Sequence, residues 1–203
     1  MAIETIALSA LTFLWGLLKM WFEAFFISFT NLNTVWIIVP IWLSWFFAEF
    51  FQEKEGTSFG NAISNGVIPF WVGIDWIRQL TTQLRAPNGT FTSLVASKYA
   101  IAALALAYGL IIIVYGIKGR PFIRYFGRIR EVTYVLAMFT PFVYGLITPS
   151  YQYFLAIVLF FPLFYFVIEL IDRVTPKPHA YTEDIIGERK PVASYKMPPM
   201  PKF

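Results

Sequence analysis

Residues 100–117, 118–130 and 132–147 read AIAALALAYGLIIIVYGI, KGRPFIRYFGRIR and VTYVLAMFTPFVYGLI: an uncharged run, a basic run and a second uncharged run. At about 1.5 Å per helical residue the first covers roughly 27 Å, close to the ~30 Å hydrocarbon core of a bilayer. A helix apolar on every face needs burial or lipid all round it. The linker carries Lys118, Arg120, Arg124, Arg128 and Arg130 and no acid, so the positive-inside bias places it in the cytoplasm as the turn of a membrane hairpin. These five residues are expected at headgroup level, where they orient the hairpin and can meet anionic lipid.

The rest of the composition agrees with a membrane chain. Of 203 residues 58% are hydrophobic, 20% aromatic and only 14% charged, against about a quarter charged in soluble domains. The net charge of +4 is carried beside apolar runs, which makes lipid rather than nucleic acid the expected partner. There is no cysteine, which excludes disulfides, thiolate metal sites and a cysteine nucleophile. The one histidine, His179, excludes paired-histidine haem ligation and a three-histidine zinc centre. No cofactor or metal is expected.

Working outward, residues 5–29 form an apolar run interrupted by Lys19 and Glu23, four apart and on one helical face. Ionisable groups inside a span are costly and call for a partner or a function. After the polar group 30–34, residues 35–51 give a tryptophan-rich span that holds Pro40 and ends at Glu49. Residues 56–78, GTSFGNAISNGVIPFWVGIDWIR, combine four glycines and Pro69 with Asn61, Asn65 and Asp75. Too polar for an ordinary span, this third segment is expected to be broken or re-entrant. Polar residues 79–97 follow, with an Asn88-Gly89-Thr90 acceptor tripeptide on the side opposite the basic linker.

The fourth helix, 98–117, has small residues at Ala96, Ala100, Ala103 and Ala107, and offset at Ala105 and Gly109. Such spacing invites close helix packing. Helices over 131–148 and 151–172 contain Pro141 and Pro162 and are joined at Pro149-Ser150, so they are expected to lie antiparallel. Residues 174–203 read as a proline-rich cytoplasmic tail without a core of its own.

The expected fold is therefore all-α: a polytopic integral membrane bundle of about six helices over 1–173, crossing five or six times, in the cell membrane with the C-terminus in the cytoplasm. Enzyme signals are poor. Val72-Gly73-Ile74-Asp75 lacks the first glycine of an aspartyl-protease GxGD, and no GxxxxGK loop occurs. The chain reads as a small channel- or transporter-like protein that passes a small cation at the third segment. Asn61, Asn65, Asp75, Lys19, Glu23 and Glu49 are its binding or permeation residues, and no residue is assigned to catalysis. The alternative is a non-catalytic subunit or scaffold of a larger membrane complex, and either reading implies homo- or hetero-oligomers.

Overall fold

The expected apolar runs form helices in the computed structural model, which describes residues 2–53 and 56–176. These are α1 (Ala2–Ile27), α2 (Leu32–Phe47), α3 (Phe59–Arg85), α4 (Ser93–Ile117), the single turn α5 (Ile123–Phe126), α6 (Ile129–Tyr144) and α7 (Tyr151–Val174). Among the described residues there is no strand. Four segments are long and apolar enough to cross a membrane: Glu4–Thr30, Leu32–Gln52, Ser93–Ile117 and Tyr151–Val174. The chain is a helical membrane protein. The proline-rich tail beyond Pro176, with His179, lies outside the described residues.

Local chemistry sets the helix ends. Side-chain oxygens of Asn31, Ser58, Thr92 and Ser150 accept from the backbone N–H of Asn33, Asn61, Val95 and Tyr153, and so cap α2, α3, α4 and α7. Gly145, in the left-handed region at φ 80°, ends α6. Its N–H donates to the Phe142 carbonyl while that of Leu146 donates to Pro141, the paired bonds of a Schellman motif. The helix therefore stops four residues short of Thr148, where the sequence reading ended it. A π-helical turn, Ala48–Gln52, continues α2, and the Glu53 N–H reaches back to the Ala48 carbonyl.

The third segment is corrected by the structure. It is neither broken nor re-entrant, because α3 is one uninterrupted 27-residue helix that contains Pro69. Its glycines serve contact instead of breakage. A Cβ on Gly66 would lie 2.8 Å from Ile112 Cγ2, and one on Gly73 would lie 2.7 Å from the Leu106 backbone nitrogen. From the facing helix, a Cβ on Gly109 would lie 2.5 Å from the Gly66 carbonyl oxygen. The α3–α4 pair is thus a backbone-to-backbone seam, and the packing it gains offsets the poor helix propensity of glycine. On α4 the buried positions are Lys98, Ala102, Gly109, Ile112 and Gly116. Ala100, Ala103 and Ala107 are exposed instead.

Helix α6 is the central element, with 13 of its 16 residues buried and with α1, α2, α3, α4 and α7 all packing against it. Its antiparallel arrangement with α7 is shown by hydrogen bonds from the Tyr134 hydroxyl to the Ile157 carbonyl and from the Tyr153 hydroxyl to that of Met138. Trp21 of α1 donates to the Tyr134 hydroxyl at 2.8 Å, and Phe25 stacks on Phe164 at 5.8 Å. These aromatic groups fill the middle of the bundle, and Trp21, Tyr134 and Tyr153 satisfy their polar atoms locally.

Candidate functional site

At the end of the bundle that carries the basic linker, five chain segments converge: the π turn after α2, the start of α3, α5, the start of α6 and the end of α7. Glu49, inside the π turn, and Glu53, at its C-terminal cap, are both buried. Arg130, in the first turn of α6, is 3% exposed and donates to Glu49 through Nε at 3.0 Å and through a second guanidinium nitrogen. Its remaining terminal nitrogen lies 3.3 Å from Glu169 Oε2 on α7. Glu169 is half-buried and continues the chain of charges to Arg173 at 3.6 Å. The Arg130 guanidinium also sits over the Tyr165 ring, 4.5 Å from its centroid. Two carboxylates and two guanidiniums thus neutralise one another, the arrangement a buried charge needs in order to persist.

Glu53 is held differently. Thr57 Oγ1 and Asn65 Nδ2 donate to its carboxylate at 2.7 and 2.5 Å, and the Ile129 N–H points to it at 3.5 Å. Asn65 also donates to the Gly127 carbonyl at 2.8 Å. That bond forms because Gly127 approaches α3 closely: a Cβ there would stand 3.0 Å from Ala62 Cβ. Burial, joined by the nearby Glu49 carboxylate, holds Glu53 above its usual range despite these three donors.

The residues read from the sequence as one permeation site are divided between three places. Asn65 and Glu49 join the cluster just described, and Asn61 lies beside it, donating to the Gln52 carbonyl at 3.2 Å. Asp75 lies ten residues further along α3, about 15 Å away at helical rise. There it accepts from Arg78 at 2.7 Å and from the Tyr144 hydroxyl at 2.5 Å. Between Asn65 and Asp75, the buried face of α3 is Gly66, Pro69, Val72 and Gly73, which belongs to the packed interior. Lys19 and Glu23 are exposed on α1, where the Lys19 ammonium lies 5.3 Å from the Trp15 ring centroid.

Of the five basic residues first placed at headgroup level, Arg130 departs from that reading by being buried in the ion-pair chain. Four groups in these clusters were not singled out from the sequence: Glu53, Thr57, Tyr144 and Lys98. Lys98 is 8% exposed and 5.6 Å from the Phe142 ring centroid. A Cβ on Gly145 would be 3.5 Å from its ammonium nitrogen, so Lys98 sits against the negative end of α6. The Glu49/Glu53 spacing is a signal that could have been used, since two acids four apart at the end of an apolar helix share a face. Among the described residues no three histidine, cysteine, aspartate or glutamate side chains gather as a metal site. Comparison with protein-family models, curated proteins and solved structures gives no match for this chain.

Proposed function

We propose that the chain is a non-catalytic, membrane-embedded subunit or scaffold of a larger membrane complex. The observation that supports this best is that the coordinating groups are engaged with one another. Glu49 is bound to Arg130, Asn65 to Glu53 and the Gly127 carbonyl, and Asp75 to Arg78 and Tyr144. The two polar ends are separated by the backbone-to-backbone α3–α4 seam and by an apolar cavity of about 310 Å³ lined by Pro69, Trp76, Ala105, Tyr108, Leu136 and Phe139, which holds no charged side chain. In this reading the basic linker faces the cytoplasm of a cell membrane, with the C-terminus on the same side. A lateral groove of about 360 Å³ bordered by Val35, Trp36, Val39, Pro40 and Trp71 offers a neighbouring membrane helix a surface. Mild-detergent extraction followed by affinity capture of the tagged chain is expected to recover a membrane protein at fixed stoichiometry. A monodisperse preparation of this chain alone, fully active in solute flux, would defeat the proposal.

A second reading, a small-cation channel or transporter, draws on Glu53, a buried carboxylate that makes no ion pair with a basic residue among the described residues. Any route would then run between copies of the chain, past the end where Glu53 lies. Cation flux in proteoliposomes that is lost in Glu53→Gln or Asp75→Asn would favour this reading. Unchanged flux in both variants would eliminate it.

A further inference from the structure

The basic linker does not act as one uniform patch. Arg130 is consumed by Glu49 and Glu169, Lys118 lies over the Tyr115 ring at 5.6 Å, and Arg120 is exposed. Arg124 and Arg128 alone line a cavity of about 370 Å³, together with Gly56, Thr57, Pro121 and Tyr125. Arg124 is fixed by one bond, from Nε to the Thr57 carbonyl at 2.8 Å, and by its place 5.5 Å from the Phe59 ring centroid. Arg128 is fixed by one bond from a terminal nitrogen to the Tyr165 hydroxyl at 3.1 Å. Among the described residues neither forms an ion pair. Glu131 acts on Arg128 through its field without contacting it as an ion pair.

A guanidinium carries five N–H donors, so each of these two, held by a single bond among the described residues, has about four that no described residue engages. Two planar forks, one anchored on the Thr57 carbonyl and the Phe59 ring and the other on the Tyr165 hydroxyl, match a tetrahedral group that presents several charged oxygens. A carboxylate, with two oxygens and about four acceptor positions, would leave about half of the donors unused. The cavity opens at the ends of the apolar helices beside exposed Phe122, Tyr125 and Phe126, residue types that gather at headgroup depth.

We infer that the Arg124/Arg128 cavity binds a phosphate group, whether carried by an anionic lipid headgroup or free in solution. This inference is independent of the subunit and transport readings, since neither assigns a ligand here. The test uses the purified full chain in neutral detergent and native mass spectrometry. Dioctanoyl phosphatidic acid is the probe, the matching phosphatidylcholine the control lipid, and inorganic phosphate the competitor. Three variants are compared: Arg124→Gln/Arg128→Gln, the charge-matched Lys118→Gln/Arg120→Gln, and Pro121→Trp, which fills the cavity while keeping both arginines.

The cavity double variant is expected to lose at least about tenfold in affinity for phosphatidic acid, the scale of one lost charge-assisted hydrogen bond or more. Pro121→Trp is expected to lose a similar amount, and the Lys118/Arg120 variant less than about threefold. Displacement of the lipid by inorganic phosphate at comparable concentration would assign the site to the free anion, and failure to displace it to the lipid headgroup. Equal loss in the two charge-matched variants, undiminished binding to Pro121→Trp, or no preference for phosphatidic acid over phosphatidylcholine would overturn the inference.

Discussion

Gly109→Ala tests whether α3 and α4 meet through their backbones. The added Cβ would stand 2.5 Å from the Gly66 carbonyl oxygen and 2.8 Å from Phe70 Cβ, and closer still to the Phe70 backbone nitrogen. Ordinary carbon contacts lie near 3.5 Å or beyond, so the axes must separate by roughly 1 Å at the crossing, since backbone cannot turn aside as a side-chain end can. Forced overpacking of this kind costs about 1–3 kcal/mol. The site is at the upper end, because separation there also loosens the Gly66–Ile112 and Gly73–Leu106 contacts along the same seam. Replacing glycine by alanine within a helix returns about 1 kcal/mol, which leaves a net loss of about 2 kcal/mol.

The matched control is Gly16→Ala on α1, where a Cβ meets nothing within 4 Å. It should gain up to about 1 kcal/mol from propensity alone. Unfolding of purified protein in mixed micelles, titrated with sodium dodecyl sulfate and followed by tryptophan fluorescence, measures both. The reasoning fails if Gly109→Ala is as stable as Gly16→Ala.

Three further outcomes follow from the charged end and the topology. Arg130→Met is expected to destabilise by about 3–5 kcal/mol by leaving Glu49 buried and unpaired, whereas Glu49→Leu/Arg130→Met should recover most of that loss, as removal of both buried charges often does; the same detergent titration reads both, and a double variant no better than the single refutes the pairing. Glu53 has a folded-state pKa above its ordinary value of 4.5, so the stability it contributes is fully present below that value and is lost as pH rises through the raised pKa. Midpoint shifts between wild type and Glu53→Gln, measured from about pH 5 to 8, should therefore show wild type losing stability relative to the variant toward high pH; a flat difference would contradict the shift. The chain has no cysteine, so single cysteines at Asn88 and at Arg120 can be labelled with an impermeant maleimide in sealed vesicles. The two should react from opposite sides, and labelling from one side would break the hairpin assignment.

The helices were legible because hydrophobicity is a local property. Runs such as 100–117 and 151–172 must leave water whatever their neighbours are, and caps such as Ser58 and Ser150 act within one turn of their own position. The same local reasoning misread the third segment. Gly66 and Gly73 lower helix propensity when considered alone, and only the facing Ala102, Leu106, Gly109 and Ile112 of α4 make them favourable. Gly145 shows the reverse case: a single residue stopped α6 through its own backbone conformation while the apolar run continued past it.

The site was less legible for a related reason. Asn65 and Glu49 could be singled out by residue type, but their partners Glu53, Gly127 and Arg130 come from 12, 62 and 81 residues away in sequence. No periodicity encodes those distances. The uncharged run ahead of the basic linker is legible as a membrane helix, since α4 is one of the four segments long and apolar enough to cross, whereas α6, the second arm of the expected hairpin, is not among them. Only the tertiary structure decided which arginine of the basic linker is spent within the protein and which two line the cavity beside α5, because a guanidinium's surroundings depend on the carboxylates, carbonyls and rings that folding brings to it.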